Sequence, residues 1–251
     1  DPPLSATDGT TPTGGVAQIA ALPEDARRGW RTVEEGFETR SITVPAAADA
    51  PIERPLVVRI DPALFRFDVA YRPGAPQSLA DWQAETGAAL VVNGGYFTEE
   101  NVATGRIVAA GTPSGLSYGD FAGMFAVTQD GPEVRWLGQR PFDEGEPLLA
   151  AIQSFPILVR PDGVAAYTEE DGRVARRTVV GQDGAGRIVL AVMPLGGFSL
   201  HALSEWLTAS NLDLRLAFNL DGGASSGMLL PDGTGDPGLV PVPAVIVARR
   251  R

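Results

Sequence analysis

Large apolar side chains recur along the chain with two different periods. Phe65, Phe67, Val69 and Tyr71 alternate with Arg66, Asp68 and Ala70, the two-residue period of a strand with one buried face. Residues 88–92 form a continuous apolar run that stops at Asn93-Gly94-Gly95-Tyr96-Phe97, where paired glycines permit tight backbone geometry, and the run predicts a buried strand. Just upstream, Ser78 stands three residues before Asp81, with Leu79 and Trp82 on one side and Gly87 at the end, which predicts a short capped helix. Residues 124–127 and 133–137 flank Gln129-Asp130-Gly131, and 178–180 and 188–192 flank Asp183-Gly184, two hairpin patterns. A second helix is predicted over 199–210, with Ser199 as N-cap and Leu200, Leu203, Trp206 and Leu207 forming an apolar stripe. In the strand that follows, Leu214, Leu216, Phe218 and Leu220 should face one way, and Arg215, Ala217, Asn219 and Asp221 the other. No internal repeat is present. Hairpins combined with two helix-then-strand units predict an α+β fold, a mixed, largely antiparallel sheet core with a few packed helices.

Residues 1–15 are rich in Pro, Thr, Gly and Ser and carry few large apolar groups, so 1–20 is expected to be a flexible leader and 21–251 a single domain. The composition, 44% hydrophobic and 20% charged, is that of a soluble globular protein. No stretch approaches the ~18 continuous apolar residues of a transmembrane helix. All 20 basic residues are Arg, against 31 Asp and Glu, for a net charge of −11. That balance argues against a nucleic-acid partner, which a basic surface would serve. The absence of cysteine excludes disulfides, thiolate nucleophiles and Cys-ligated zinc, and leaves the redox compartment open. The sequence opens at Asp1 rather than Met; removal of a signal peptide or lipoprotein anchor would account for this, as would trimming, and a periplasmic or secreted location is the expectation.

Two segments share one design: a helix, a buried strand, then a polar residue and paired glycines, as in Asn93-Gly94-Gly95 and in Asp221-Gly222-Gly223 before Ala224-Ser225-Ser226. Together with Arg177-Thr178-Val179-Val180-Gly181 between them and Asn219-Leu220 ahead of Asp221, these strings resemble, in identity and order, the motifs of the phosphodiester glycosidase family. The resemblance runs from about residue 79 to about residue 247. It implies a hydrolase without a cofactor that cleaves the bond between an anomeric sugar carbon and a phosphodiester or related cell-envelope glycoconjugate. A phosphate leaving group is a weak base, so little general-acid assistance is needed. The site still requires an anionic or hydrogen-bonding group near the anomeric carbon and cationic or N–H groups around the phosphate. Asp221 and Arg177 suit these two roles, with Asn93 beside them as the third expected catalytic residue. Backbone N–H groups from Gly222 to Ser226 could cradle an anion, and Asn93 and Asn219 could hold sugar hydroxyls. The expected substrate-binding set is Gly94, Gly95, Tyr96, Asn219, Gly222, Gly223, Ser225, Ser226 and His201.

Blander readings stand beside these. Asp-Gly-Gly is a common turn, Asn93 could serve only a left-handed turn, and Arg177 could be an exposed strand residue, its neighbour Arg176 pointing to the opposite face. His201, the only histidine, could be a surface residue or a proton shuttle on the first turn of its helix. Glu205 reads as a solvated face, and Glu169, Glu170 and Asp171 as an acidic loop that could lend a second carboxylate. A hard cation could in principle bind Asp221 and nearby oxygens, but no loop of alternating Asp supports one, so a metal is left open. The sequence departs from the family pattern at Ala224, where a third glycine is usual, at Phe155 in Ser154-Phe155-Pro156, and at 240–243, which lacks a basic residue. Three rival functions remain at this stage: a glycosidase on envelope polysaccharide with a non-phosphate aglycone, which needs a second carboxylate, a non-catalytic periplasmic polysaccharide-binding protein, and a structural envelope module that binds no glycan. Oligomeric state is not legible.

Overall fold

The computed structural model describes residues 29–44 and 52–251, so the expected leader lies outside the described residues. The chain begins with β1 (Arg31–Glu34), β2 (Phe37–Ser41), β3 (Leu56–Ile60) and β4 (Phe65–Tyr71), then α1 (Leu79–Thr86), β5 (Leu90–Asn93), β6 (Ile107–Ala109) and β7 (Thr112–Ser114). It continues through β8 (Gly123–Thr128), β9 (Gly131–Trp136), β10 (Ala150–Ser154), β11 (Ile157–Val159) and the long hairpin β12 (Ala175–Asp183) and β13 (Ile188–Phe198). Last come α2 (Leu200–Ala209), β14 (Leu214–Asn219), β15 (Met228–Leu229), β16 (Gly235–Asp236) and β17 (Ala244–Arg250). Both helices start as their sequences predict: the Ser78 hydroxyl accepts from the Asp81 N–H, and the Ser199 hydroxyl from the Ala202 N–H. Gly87 ends α1 in the left-handed region at φ 61°, where a side chain would be strained.

The strands form three sheets, in the orders β1-β2-β3-β13-β12-β14-β11, β7-β6-β10-β8-β9 and β16-β15-β5-β17-β4. Adjacent strands in all three run antiparallel. The α+β expectation is corrected accordingly. Among the described residues there are only two α-helices, of 8 and 10 residues, and the fold is mainly β. Strands of two or three residues, such as β6, β7, β15 and β16, are too short to display a period, so the sequence pattern underweights the β content.

One apolar cluster joins the inner faces of the sheets, drawing Val58 and Phe218 from the first, Phe125 and Ile152 from the second, and Phe67 and Ile246 from the third. Each such buried side chain contributes about 1.5–3 kcal/mol. On the outer face of the seven-stranded sheet, Leu203, Trp206 and Leu207 of α2 cover Val179, Ala191 and Ala217. On the outer face of the third, Leu79 and Trp82 of α1 cover Val91, Val245 and Val247. The expected alternation in β14 holds for Leu216, Phe218 and Leu220, which enter the shared core, but Leu214 joins Ala217 on the α2 side. A register shift between Gln182 and Asp183 of β12 lies opposite this point, and such an irregularity turns a side chain to the other face.

After β14 the chain leaves the seven-stranded sheet and crosses to β15 in the third sheet. The crossing consists of Leu220 to Gly227 and contains the Asp221-Gly222-Gly223 string. The C-terminal end of β5 lies beside it, because the Asp221 N–H donates to the Gly94 carbonyl at 3.0 Å.

Candidate active site

Asn93 ties the two sheets together. Its Oδ1 accepts from the Thr178 hydroxyl of β12 at 2.8 Å and from the Gly227 N–H at 3.1 Å, while its Nδ2 donates to the Asp221 carbonyl at 2.9 Å and the Gly94 carbonyl at 3.2 Å. The residue is 0% exposed. Its amide capacity is consumed by protein groups, so the expected contact of Asn93 with a sugar hydroxyl is not supported by this geometry. Asn93 instead fixes the backbone on which Asp221 sits.

Asn219 is equally buried, at 0% exposure. Its Nδ2 donates to the Tyr96 hydroxyl at 2.8 Å, to the Phe155 carbonyl at 3.2 Å and to the Leu220 carbonyl, and its Oδ1 has no partner. It too lies beneath the surface a substrate would touch. Tyr96 is half-buried above it, and its hydroxyl donates to the Phe155 carbonyl at 3.1 Å. Burial, and then the nearby Asp221 charge, push the Tyr96 phenol up to about 12, so it stays protonated as a hydrogen-bonding group.

Gly94 and Gly95 are required by close approach. A Cβ at Gly94 would stand 2.7 Å from the Ile152 side chain and 2.9 Å from the Ala244 carbonyl, and one at Gly95 would stand 2.6 Å from the Gln153 carbonyl.

Asp221 is half-buried at the start of the crossing, and its Oδ1 accepts from the Gly222 N–H at 2.9 Å. Burial raises its carboxyl above the usual range, and the Ser225 hydroxyl and Gly222 N–H partly offset this. Arg177 approaches from β12. A Cβ at Gly222 would lie 3.8 Å from an Arg177 terminal nitrogen and 3.0 Å from the Arg176 carbonyl, which explains the absence of a side chain there. Arg177 donates to the carbonyls of Phe198 at 3.3 Å and Arg173 at 2.8 Å. Among the described residues no carboxylate pairs with it. Burial lowers its pKa, the nearby Tyr96, Asp171 and Tyr167 act the other way, and its positive charge is felt by Tyr96. Arg176 faces the other way, as alternation predicts, and clamps the crossing from behind through the Ser226 carbonyl at 2.7 Å and Asp236 at 2.8 Å.

Gly223 carries the positive φ of this loop, +61°, and heads a short turn ending at Ser225. Ala224, where a third glycine is usual in the family, is exposed and outside the left-handed region, so the backbone there does not require glycine. Within the loop the N–H groups of Gly222, Ser225 and Ser226 are spent on Asp221 Oδ1, the Gly222 carbonyl and the Gly223 carbonyl. Among the described residues, the N–H groups of Gly223 and Ala224 have no acceptor, which narrows the expected anion cradle to these two. Ser225 and Ser226 are both buried, and the Ser226 hydroxyl has no partner.

His201 sits on the first turn of α2 with Nδ1 3.1 Å from the Tyr167 carbonyl, a local tie with no contact to Asp221 or Arg177. Glu170 is engaged by the Gly172 N–H at 2.6 Å and the Ser199 hydroxyl at 2.7 Å, so it belongs to the cap of α2. Among the described residues no three His, Asp or Glu side chains gather into a group able to hold a metal ion. No helix there is long and apolar enough to cross a membrane.

Sequence reasoning missed Thr178 as the partner of Asn93, although it lies in the Arg177 string, and it missed Tyr118, whose hydroxyl feels the Asp221 charge. The signal for Tyr118 was an aromatic residue in a Gly- and Ser-rich stretch without periodicity.

Fold and strings together define a β-rich protein in which two sheet-end motifs meet beside β12, with the half-buried Asp221 carboxylate on one of them and the Arg177 guanidinium on that strand. The profile of the phosphodiester glycosidase family matches residues 86–248, and the chain belongs to that family. The catalytic domain of zebrafish N-acetylglucosamine-1-phosphodiester alpha-N-acetylglucosaminidase, auto-inhibited by its pro-peptide, is similar in structure. It aligns with TM-score 0.69 and 19% identity over 88% of this chain and 86% of that one. A hypothetical protein from Synechocystis aligns with TM-score 0.63 and 14% identity over 89% of this chain and 64% of that one. A predicted exported protein from Burkholderia pseudomallei aligns with TM-score 0.55 and 13% identity over 79% and 74%. At such identities the likeness is one of fold. A search of curated proteins gives no match.

Proposed function

We infer that the protein is a hydrolase of glycosyl phosphodiesters, acting in the periplasm or outside the cell. The observation that carries this reading is the convergence on Tyr96 of the charges of Asp221, a desolvated carboxylate, and Arg177, a guanidinium with no carboxylate at ion-pair distance among the described residues, each on a string of the family. In the reaction proposed, the bond between the anomeric carbon and the phosphate oxygen breaks. Its electron pair leaves with the phosphate monoester, whose charge Arg177 and the Gly223 and Ala224 N–H groups receive. Asp221 faces the positive charge that develops on the sugar, and water supplies the new hydroxyl at that carbon, its proton passing to solvent. Little protonation of the leaving oxygen is needed, so one carboxylate suffices.

The rival glycosidase with a non-phosphate aglycone needs a second carboxylate. Glu170 is held in the α2 cap, which weighs against its serving as that acid. The extracellular location draws support from the export predicted for the Burkholderia protein of the same fold.

The test is release of free sugar from α- and β-linked sugar phosphodiesters and from p-nitrophenyl glycosides by the wild type and by Asp221→Asn. Turnover of a phosphodiester that falls by at least about 10³-fold in the variant is expected for loss of a charge acting on the transition state. Binding of a glycan without turnover in either panel would replace this reading with a polysaccharide-binding protein.

A further inference from the structure

An aromatic trail runs outward from the site. The ring of Tyr96, whose hydroxyl takes the Asn219 amide, lies 4.7 Å from that of Phe155. Phe155 meets Tyr118 edge-on at 5.1 Å and Phe121 at 5.4 Å, and Tyr118 and Phe121 are 5.8 Å apart. At its inner end the trail borders Asp221, whose charge bears on the hydroxyls of both Tyr96 and Tyr118. At its outer end Phe121 is 52% exposed, and Leu116 nearby in the chain is 79% exposed. Exposed aromatic groups in line with a polar site mark a binding surface more often than a solvent-facing accident.

Three features select the occupant. The trail holds successive rings beyond Tyr96, more length than one sugar at the reacting position can cover. No charged side chain belongs to it. The amide beside Tyr118, that of Gln153, is taken up by the Tyr118 N–H at 2.8 Å and the Ser117 hydroxyl at 3.0 Å. The rings also stand edge to face against one another, giving a ridged apolar surface rather than a flat platform for a pyranose.

We propose that Tyr118, Phe121, Phe155 and Leu116 form a ledge that binds an apolar aglycone, an alkyl or aryl group esterified to the phosphate, and so select glycosyl phosphodiesters of apolar alcohols. This rests on the phosphodiester reading of Asp221 and Arg177.

The experiment compares diesters of one sugar 1-phosphate with methanol, benzyl alcohol and octanol, in the wild type, Phe121→Ala and Leu116→Ser. Both positions are exposed, so neither substitution threatens folding. The ratio of kcat/KM for octyl over methyl is expected to be well above one in the wild type and to fall about tenfold in Phe121→Ala, mostly through KM. A ratio near one, or one unchanged in both variants, overturns the ledge while leaving the hydrolase reading intact. A gain from an added sugar ring in place of the octyl chain also overturns it, in favour of a glycan track. If no diester is hydrolysed the hydrolase reading fails by itself. Calorimetric binding of the octyl and methyl diesters to Asp221→Asn then decides the ledge: tighter octyl binding that Phe121→Ala removes supports it, and equal binding refutes it.

Discussion

Replacing Asn93 by Leu removes four hydrogen bonds at a position with no exposure while nearly preserving side-chain volume. The Gly94 carbonyl keeps its bond from the Asp221 N–H. The Thr178 hydroxyl, the Gly227 N–H and the Asp221 carbonyl lose their side-chain partner inside the protein. Each buried group left unpaired costs about 1–3 kcal/mol, so the variant should lose at least about 3 kcal/mol of a total that for most domains is about 5–15 kcal/mol. Urea denaturation followed by fluorescence reads this as a lowered midpoint with an unchanged slope. Asn93→Asp gives a second reading. A carboxylate there keeps the two acceptor roles of Oδ1 but sets an anionic oxygen against the carbonyls of Asp221 and Gly94. Its folded-state pKa must therefore rise above the unfolded value. Stability is then closest to wild type at low pH, where the introduced carboxyl is protonated and can donate, and it is lost as the pH rises through that folded pKa. A loss under about 1 kcal/mol in Asn93→Leu, or an Asn93→Asp variant that gains stability with rising pH, would refute the clamp.

Asp221→Asn should be inactive yet more stable than the wild type at pH 7, since a desolvated charge is removed; the gain should vanish as pH falls through the raised titration of Asp221, and calorimetric melting across pH measures it, an equal or lower melting temperature at pH 7 contradicting the burial. For the same reason the acid limb of kcat/KM should lie above the range of an ordinary carboxylate, and a limb at or below that range would contradict the burial of Asp221. Arg177→Lys should raise KM for phosphodiesters about tenfold or more, because an ammonium cannot grip two phosphate oxygens in parallel; an unchanged KM removes Arg177 from phosphate binding. Gly95→Ala, whose Cβ would meet the Gln153 carbonyl at 2.6 Å, should cost more than about 2 kcal/mol by urea titration, and a neutral result would refute the close approach.

The parts of this structure with long, regular patterns were legible. The alternation of Phe65 to Tyr71 and the capped segments at Ser78 and Ser199 gave a strand and two helices where they occur. The balance between helix and strand was not, because β15 and β16 are two residues each and acquire their structure from neighbours distant in sequence. At the site, the strings located Asp221, Asn93 and Arg177, but a string does not say which polar residue faces the substrate and which braces it. Alternation placed Asn219 on the same side as Asp221, yet that side at Asn219 is covered by Tyr96 and the Phe155 backbone, a tertiary contact without local trace. The aromatic trail escaped for a related reason, since Tyr96, Tyr118, Phe121 and Phe155 come from three separate loops.

Hydrolysis of a sugar phosphodiester in water enriched in ¹⁸O tests the central claim most directly. Attack at the anomeric carbon, with Asp221 facing the sugar and Arg177 the departing phosphate, puts the label in the free sugar and none in the phosphate monoester. Label in the phosphate would mean that the phosphorus–oxygen bond is cleaved, and would contradict the assignment of a glycosidase.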